Sequence, residues 1–435
     1  MNMREEIKKM SLAAPGLAAS SIDQRNKALE IIAELLSERK EEVFNANTID
    51  MENAAKAGLA ASIMKRLKYD EVKMRDSIAG LKQLSELPDP LGKQLLKRQL
   101  DEGLILTKLS VPIGVIGVIF EARPDAMIQV ASLCIKSGNC AVLKGGKETA
   151  ATNKVLFEII RESVEKAGLP GESLLQAELH NEIDELLECD EEVDLIIPRG
   201  SNSFVRYIME HTKIPVMGHS SGICHIYADD EMDEELALKV ITDAKIQYPA
   251  ACNAVETVLI NRKIAKEFLP RLAARLREVG VTLRGTKECR DILEASIPEA
   301  AQGMEVMNED DFATEYNDLI ISLKLVDDVD EAISHINRFG SHHTDSIITT
   351  DDRKAERFMQ MVDSAGVYRN VSTRFADGFR YGFGAEVGIS TGKLHARGPV
   401  GLDGLVTYKY TLTGNGQIVA EYASGEKIFK HKDLI

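Results

Sequence analysis

The spacing of apolar residues predicts helices through the first ninety residues of the chain. Ser21 and Gln24 have the spacing of a capping box, and the apolar residues after them recur at intervals of three and four. We therefore expect a first helix from Ser21, helical structure to about Ala60, and a further helix over 63–87. A Pro-Asp-Pro sequence follows directly and ends that helix.

Beyond residue 100, short apolar runs alternate with amphipathic helical stretches such as 232–246. The runs predicted to be buried strands are 115–120, 140–143, 193–197, 224–227, 257–260, 319–323 and 346–349. Their alternation with helices is typical of a parallel sheet that is covered on both faces. Two further stretches, 104–109 and 408–418, have extended character, and the first predicts a hairpin-like extension before the sheet.

Length and charge narrow the class of protein. A chain of 435 residues is too long for one ordinary core, so two or three domains are expected. The 69 acidic residues outnumber the 53 Lys and Arg residues, and the net charge of −16 argues against a nucleic-acid partner. The amino terminus lacks the apolar segment of a signal peptide, and no apolar run approaches the ~20 residues of a membrane span. We expect a cytoplasmic protein.

The six cysteines show neither a Cys-x-x-Cys pair nor a histidine at metal-ligand spacing. In a chain of this length we expect reduced thiols, with neither a disulfide framework nor a metal site. His342 and His343 are adjacent and should point in different directions, so we interpret both as surface or loop residues.

Cys252 is the strongest candidate for chemistry. It follows a Pro-Ala-Ala turn and precedes Asn253 and the apolar run 257–260, whereas a packing cysteine usually lies inside such a run. Turns that lead into rigid elements are a common place for a nucleophile. The competing interpretation is a buried cysteine that only fills the core, because free cysteine is among the most buried residue types.

Two predicted strand ends carry glycines and cations. Lys144, Gly145, Gly146 and Lys147 follow one strand, and an Arg-Gly sequence leading to Ser201 ends another. Glycine lets a phosphate approach the backbone, and a following helix supplies N–H groups, so the two turns together favour a dinucleotide site over ordinary turns with solvated lysines. No Gly-x-Gly-x-x-Gly sequence is present, so a standard pyrophosphate turn is not expected. Lysines on both sides of one turn fit an extra phosphate, which favours NADP(H) over NAD(H).

Further cations and histidines suggest an anionic substrate. Arg123 follows a predicted strand and suits bidentate binding of phosphate or carboxylate, unless it pairs with a carboxylate two residues away. His219 lies in a polar loop bounded by glycines, where it could contact substrate or satisfy a loop carbonyl. His395 and Arg397 add charge to a second glycine-rich region.

Several of these motifs resemble the gamma-glutamyl phosphate reductases, a family within the aldehyde dehydrogenase superfamily. The resemblance extends over about 20–420, and its most specific stretches are 119–124, 218–222 and 395–399. It implies an aldehyde-dehydrogenase-like α/β fold with a Rossmann-type cofactor domain, an α/β catalytic domain and a small β oligomerisation flap. The implied boundaries are 1–100 and 112–229 for the cofactor domain, 230–402 for the catalytic domain, and 101–111 with 403–424 for the flap.

The same resemblance implies a reaction and roles for residues. L-glutamyl 5-phosphate, supplied by glutamate 5-kinase, is reduced by NADPH to L-glutamate 5-semialdehyde and phosphate through a cysteine thioester. This is the second step of proline biosynthesis, and the implied enzyme is a homo-oligomer. Cys252 matches the nucleophile, and Lys144 matches a lysine that contacts the cofactor ribose. Ser201 matches a position beside the pyrophosphate, and Glu315 matches the glutamate that holds the nicotinamide ribose.

Two differences from oxidising aldehyde dehydrogenases are informative. Residues 217–219 carry no carboxylate where those enzymes have a water-activating glutamate, and Arg123 lies near the position of their oxyanion asparagine. A reductase needs no activated water, and Arg123 suits a leaving phosphate, while His395 and Arg397 are candidates for the charged amino-acid head. We expect backbone N–H groups at the cysteine turn, with Asn253, to hold the oxyanion. The alternatives are a hydrolytic NAD(P)-dependent aldehyde dehydrogenase and a non-catalytic protein of the same fold.

Overall fold

A computed structural model describes residues 3–178, 182–219 and 221–435 of the chain. The chain divides into two compact units, each with its own parallel sheet. The first comprises Met1–Gly218, Phe383–Gly388 and Val400–Ile435, and the second comprises His219–Gly382 and Ile389–Pro399. Within the described residues, no helix has the length and apolar character that crossing a membrane requires.

The amino-terminal helices are more numerous than the sequence predicts. The helices of the first unit up to Gly218 are α1 (Met3–Ala18), α2 (Ile22–Glu38), α3 (Lys40–Lys56), α4 (Ala61–Leu67), α5 (Glu71–Glu86), α6 (Pro124–Lys136), α7 (Ala150–Lys166), α8 (Glu182–Leu187) and α9 (Asn202–Glu210). The prediction that the helix after Ser21 is the first of the chain is wrong, because α1 precedes it. The capping box is confirmed, since the Ser21 hydroxyl accepts a hydrogen bond from the backbone N–H of Gln24 at 3.2 Å and begins α2. Apolar spacing continues across the breaks between α2, α3, α4 and α5, so periodicity alone does not locate them.

A parallel sheet brings the predicted strand ends of the first unit together. The strands of this part are β1 (Gln94–Asp101), β2 (Leu104–Pro112), β3 (Val115–Phe120), β4 (Cys140–Gly145), β5 (Leu174–Ala177) and β6 (Leu195–Arg199). Strands β3 to β6 form a sheet in the order β5-β4-β3-β6, and β3 is buried along its whole length, as predicted. Phe120 pairs with both Gly145 and Arg199, so the residues after β3, β4 and β6 emerge at one edge.

A larger parallel sheet forms the second unit, in the order β10-β9-β11-β8-β7-β12-β13. Its strands are β7 (Cys224–Ala228), β8 (Val255–Asn261), β9 (Thr282–Gly285), β10 (Glu305–Val306), β11 (Ile320–Val326), β12 (Thr344–Ile348) and β13 (Gly366–Arg369). Its helices are α10 (Glu234–Ile246), α11 (Ala265–Glu278), α12 (Lys287–Ser296), α13 (Pro298–Ala301), α14 (Val329–Phe339) and α15 (Asp352–Met361). Successive residues of β8, Val258 and Leu259, belong to two different buried clusters, which confirms the prediction that helices cover both faces.

An antiparallel sheet completes the first unit. Past α15 the chain forms β14 (Gly388–Ser390) and β15 (Gly398–Val400), which lie mainly in the second unit, and then β16 (Val406–Thr413), α16 (Val419–Ala423) and β17 (Lys432–Asp433) in the first. Short 3-10 helices lie at Lys147–Thr149, Gly171–Ser173, Glu309–Ala313, Thr373–Phe375 and Leu402–Leu405. The sheet has the order β16-β2-β1-β17, so the predicted extension 104–109 is one arm of a hairpin with β1. Strand β1 was missed because its residues are half-buried or exposed and give no apolar run.

Candidate active site

Cys252 lies in a tight turn directly before the central strand β8. Ala251 donates its backbone N–H to the carbonyl of Tyr248 at 3.2 Å, and Ala254 donates to Ala251 at 2.9 Å. The thiol of Cys252 is half-buried, whereas the other five cysteines are buried. A Cβ on Gly222 would lie 2.1 Å from the Cys252 carbonyl oxygen, so only glycine permits this close approach of two backbones. Of the six cysteines Cys252 is therefore the accessible one, as a nucleophile requires.

His343 contacts the sulfur of Cys252. Its Nε2 lies 3.2 Å from Cys252 Sγ, and its Nδ1 lies 2.9 Å from the hydroxyl of Thr344. The imidazole is completely buried, so the prediction of a surface histidine is wrong for His343. It is correct that His342 is a loop residue, with its side chain 42% exposed. The two side chains do point apart: that of His342 is partly exposed, and that of His343 points to the sulfur of Cys252.

His219 completes a cluster of soft donors around the sulfur. Its Nδ1 lies 2.7 Å from the carbonyl oxygen of Ile389, and its ring meets that of His343 edge to face, with centroids 5.0 Å apart. The ligand atoms of His219, Cys252 and His343 all lie within 4.8 Å of one another. The sequence indicated no metal site because these donors come from three separate segments. A set of one thiolate and two imidazoles is one that Zn²⁺ binds. Ser220, next to His219, lies outside the described residues.

Asn253 holds the cysteine turn in place. Its side-chain Nδ2 donates to the carbonyl of Ala376 at 2.7 Å, and its own carbonyl accepts from the hydroxyl of Thr373 at 2.7 Å. The side chain is buried and its amide is oriented by these contacts, and its part in holding the oxyanion stays a prediction. Among residues 3–178, 182–219 and 221–435, the backbone N–H groups of Cys252 and Asn253 donate no hydrogen bond. Both N–H groups are therefore available as donors.

A buried ion pair that the sequence did not indicate joins this turn to the loop of Glu315. Lys245 Nζ donates to Glu256 Oε2 at 2.6 Å, and both side chains are removed from solvent. The other oxygen, Oε1, accepts from the backbone N–H of Asn317 at 3.3 Å. Glu256 lies in β8, four residues after Cys252. It therefore fixes the loop that carries Glu315 relative to the strand that follows the nucleophile.

In the first unit, the predicted phosphate turn is closely packed. Lys144 Nζ donates to the carbonyl of Gly145 at 2.8 Å, and the residue is 4% exposed. Burial lowers the pKa of this lysine. Cβ atoms on Gly145 and Gly146 would lie 2.0 Å and 2.1 Å from side-chain atoms of Asn153 and Glu148. Packing against the buried Asn153 therefore favours glycine at 145, whereas at 146 the end of the flexible Glu148 side chain would have to move. The partner lysine of the turn, residue 147, is exposed.

A carboxylate binds the backbone of Ser201, the N-cap residue of α9. The backbone N–H of Ser201 donates to Glu121 Oε2 at 3.0 Å, at the start of α9. The second carboxylate near Arg123, that of Asp125, lies 3.4 Å from Lys73 Nζ. Within the part of the chain that the structure describes, Arg123 itself forms no ion pair and is exposed. The alternative in which a neighbouring carboxylate neutralises Arg123 therefore finds no support.

The cations of the carboxyl-terminal motif are already paired. Arg397 Nη2 lies 3.0 Å from Asp363 Oδ1, and Lys393 Nζ lies 2.5 Å from Asp363 Oδ2. The hydrogen bond from Lys393 is the largest cause that lowers the pKa of Asp363. His395 is exposed. A substrate carboxylate would have to compete with Asp363 for Arg397, which weakens the prediction that Arg397 binds substrate.

Two parallel sheets, one with a reactive cysteine before its central strand, are the architecture of an aldehyde dehydrogenase. The model of the aldehyde dehydrogenase family matches residues 1–289 of the chain. Enzymes of this family use NAD(P).

Individual relatives narrow the assignment. The gamma-glutamyl phosphate reductase of Ruminiclostridium cellulolyticum is 51% identical over 434 residues, which cover 100% of this chain and 98% of that protein. The gamma-glutamyl phosphate reductase of Acetivibrio thermocellus is also 51% identical, with coverages of 100% and 99%. The crystal structure of gamma-glutamyl phosphate reductase from Thermotoga maritima matches with a TM-score of 0.92 and 38% identity, over 96% of this chain and 100% of that one. The chain belongs to the gamma-glutamyl phosphate reductases within the aldehyde dehydrogenase family, which confirms the resemblance drawn from its motifs.

Proposed function

We propose that the protein reduces L-glutamyl 5-phosphate to L-glutamate 5-semialdehyde and phosphate with NADPH, in the second step of proline biosynthesis. One structural observation supports this proposal independently of the family assignment. The half-buried Cys252 has the imidazole of His343 3.2 Å from its sulfur, which is the arrangement of an activated nucleophile and its base. Glutamate 5-kinase would supply the acyl phosphate.

The first chemical step forms a thioester on Cys252. His343 accepts the thiol proton, and the thiolate attacks the carbonyl carbon of the acyl phosphate. The backbone N–H groups of Cys252 and Asn253 stabilise the oxyanion, because donors aimed at developing charge lower the barrier most effectively. The bond to the phosphate oxygen then breaks, and phosphate leaves without needing a strong general acid. Arg123 remains our candidate for neutralising the leaving phosphate.

The second step reduces the thioester. NADPH, when bound, supplies the hydride that converts the thioester into a thiohemiacetal anion. Its collapse breaks the carbon–sulfur bond and returns Cys252 as a thiolate beside protonated His343, so the enzyme is ready for another turnover. Neither side chain is consumed, and two electrons pass from NADPH to the acyl carbon.

The residues around the thioester favour reduction over hydrolysis. Residues 217–219 read Met-Gly-His, without the carboxylate that activates water in oxidising enzymes of the superfamily. His219 itself is oriented by a hydrogen bond to the Ile389 carbonyl at 2.7 Å. A thioester that water attacks slowly survives long enough to accept a hydride. The hydrolytic aldehyde dehydrogenase is therefore the less well supported alternative.

We further propose that six residues hold the cofactor, with the roles implied by the family resemblance. They are Lys144, Gly145, Gly146, Lys147, Ser201 and Glu315. The exposed face of strand β16 supports a homo-oligomer, because Tyr408, Tyr410 and Leu412 are 49%, 58% and 58% exposed on an edge strand. The domain boundaries implied by the resemblance remain part of this proposal, with 101–111 and 403–424, which contain most of β2 and all of β16, as the flap.

Trapping the thioester tests the proposed chemistry. Enzyme mixed with glutamate semialdehyde and NADP⁺ in phosphate-free buffer should release one equivalent of NADPH quickly and carry a glutamyl group on the peptide of Cys252. Added phosphate should discharge that group. Cys252→Ser should give neither burst nor adduct while still binding NADPH, because the nucleophile alone is lost. Oxidation of the aldehyde without any adduct would exclude the thioester route.

A further inference from the structure

A buried arginine without an ion-pair partner lies beside the nucleophile turn. Arg374 is 9% exposed, yet within residues 3–178, 182–219 and 221–435 no carboxylate lies within 4.0 Å of its guanidinium. Its terminal nitrogens keep contact with solvent, so an oxyanion can reach them and offset the cost of partly burying the charge. Arg397, by contrast, has Asp363 at 3.0 Å.

The side chain of Arg374 is held firmly at one end only. Its Nε donates to Gln247 Oε1 at 2.9 Å, and its guanidinium carbon lies 6.0 Å from the centroid of the Tyr248 ring. Arg380 donates to the Arg374 carbonyl at 2.7 Å and fixes the backbone. Neither terminal nitrogen of Arg374 donates to an acceptor among the described residues. The guanidinium group is therefore oriented, and its two terminal nitrogens remain available to donate a pair of parallel hydrogen bonds.

Two hydrogen bonds tie the segment that carries Arg374 to Asn253, the residue after Cys252. Arg374 lies in the 3-10 helix Thr373–Phe375. The Thr373 hydroxyl donates to the Asn253 carbonyl, and the Asn253 amide donates to the Ala376 carbonyl, both at 2.7 Å. Burial and Arg380 lower the pKa of Arg374, whereas negative charge at Cys252, Asp377 and Asp243 raises it. These two hydrogen bonds place the Arg374 segment directly beside the Cys252 turn.

We propose that Arg374 is a substrate-binding residue whose guanidinium fork binds an oxyanionic group of the substrate next to Cys252. The proposal rests on the proposed function, because the reductase substrate carries two such groups, the acyl phosphate and the α-carboxylate. Both are planar or tetrahedral oxyanions that match the paired donors of arginine better than those of lysine. This role is not apparent from sequence patterns, since Arg374 lies in a Ser-Thr-Arg-Phe stretch with no other cation.

Steady-state kinetics in the oxidative direction separate the two groups. Arg374→Gln should raise either the KM for phosphate or the KM for glutamate semialdehyde by about 10- to 100-fold, the range for losing hydrogen bonds to a charged group. A rise confined to phosphate assigns Arg374 to the leaving group, and a rise confined to the aldehyde assigns it to the α-carboxylate. Arg374→Lys should recover part of the loss. Arg369→Gln is the matched control, because Arg369 has Asp352 at 2.7 Å and should leave both constants unchanged.

Alkylation of Cys252 gives a readout that does not depend on turnover. In the wild type, anionic iodoacetate should react faster relative to neutral iodoacetamide than it does in Arg374→Lys or Arg374→Gln, because the oriented guanidinium attracts the carboxylate. Inorganic phosphate or glutamate should slow the reaction in the wild type only. The proposal would be overturned by folded Arg374 variants that keep both KM values within twofold of the wild type and the same ratio of iodoacetate to iodoacetamide alkylation rates. Oxidation of glutamate semialdehyde by the wild type that does not depend on phosphate would instead overturn the proposed function.

Discussion

Nε2 of His343 lies 3.2 Å from Sγ of Cys252, although 91 residues separate them in the chain. The topology of the second sheet explains the contact. Cys252 lies just before β8 and His343 directly before β12, and both strands are parallel neighbours of β7. Parallel strands begin at the same edge, so the residues that precede them meet there. His219, ahead of β7, joins them for the same reason.

Replacing His343 should slow the chemistry far more than replacing its neighbour. We expect His343→Asn to lower kcat by about 10²-fold or more, the usual contribution of a general base, and to slow alkylation of Cys252 by iodoacetamide. His342→Asn is the matched control, because His342 has a φ of +60° that asparagine tolerates. Equal rates for the two variants would show that the Cys252–His343 contact has no catalytic role.

The two lysines of the phosphate turn should affect different properties of the cofactor. Lys144→Ala should raise the KM for both NADPH and NADH with little change in kcat, because a contact made equally in the ground and transition states is uniform binding. Lys147→Ala, at an exposed position, should raise the KM for NADPH alone if it contacts the extra phosphate. Initial rates with each cofactor measure both effects. A fall confined to kcat in Lys144→Ala would place Lys144 in the chemistry instead.

The donors around Cys252 predict inhibition by a soft metal ion. Micromolar Zn²⁺ should inhibit the enzyme reversibly by binding Cys252, His219 and His343, whose ligand atoms lie within 4.8 Å of one another, and a chelator should restore activity. Mg²⁺, which prefers oxygen ligands, should have no such effect. His219→Asn should shift the inhibition to higher Zn²⁺ concentration. Equal sensitivity of this variant and the wild type would rule out the three-residue site.

Much of the fold was predictable from the sequence, including the sheet edge where the glycine-rich turns meet, because apolar runs mark buried strands and glycines mark the turns after them. The residues around Cys252 were not predictable. His343 looked like one of two loop histidines, and only the strand order places it against Cys252. Arg374 is likewise invisible in sequence, since its burial depends on contacts with Gln247 and Tyr248 more than a hundred residues earlier. Pairing across a sheet leaves no local pattern for periodicity to detect.

A buried histidine makes stability depend on pH. His335 Nδ1 lies 3.2 Å from Lys324 Nζ, and its ring packs against Phe312 and His225, with centroids 5.0 Å and 5.5 Å away. Burial, followed by the nearby charges of His225, Lys324 and Arg338, lowers the pKa of His335 to about 2. The folded state therefore stays neutral at this position when the unfolded state takes up a proton.

The sign of the effect follows from that difference. Below the ordinary histidine pKa of about 6.5 the unfolded chain binds one more proton than the folded chain, so stability falls as pH falls. The slope from this group approaches ~1.4 kcal/mol per pH unit. His335→Gln should have a flatter dependence of its urea unfolding midpoint between pH 7.5 and 5.5, whereas His342→Asn should match the wild type. Parallel curves for all three proteins would contradict the assignment.

The dependence of the reverse reaction on phosphate distinguishes a Cys252 thioester that phosphate releases from one that water hydrolyses. With glutamate semialdehyde and NADP⁺, we expect the Cys252 thioester to be released mainly by an added oxyanion, because residues 217–219 carry no carboxylate to activate water. General-base assistance is typically worth ~10²–10⁴-fold, so phosphate or arsenate should accelerate NADPH formation by a margin of that order. We expect slow NADPH formation in phosphate-free buffer and a saturable increase in its rate when phosphate is added. A full rate without phosphate, with free glutamate as the product, would contradict it and favour a hydrolytic dehydrogenase.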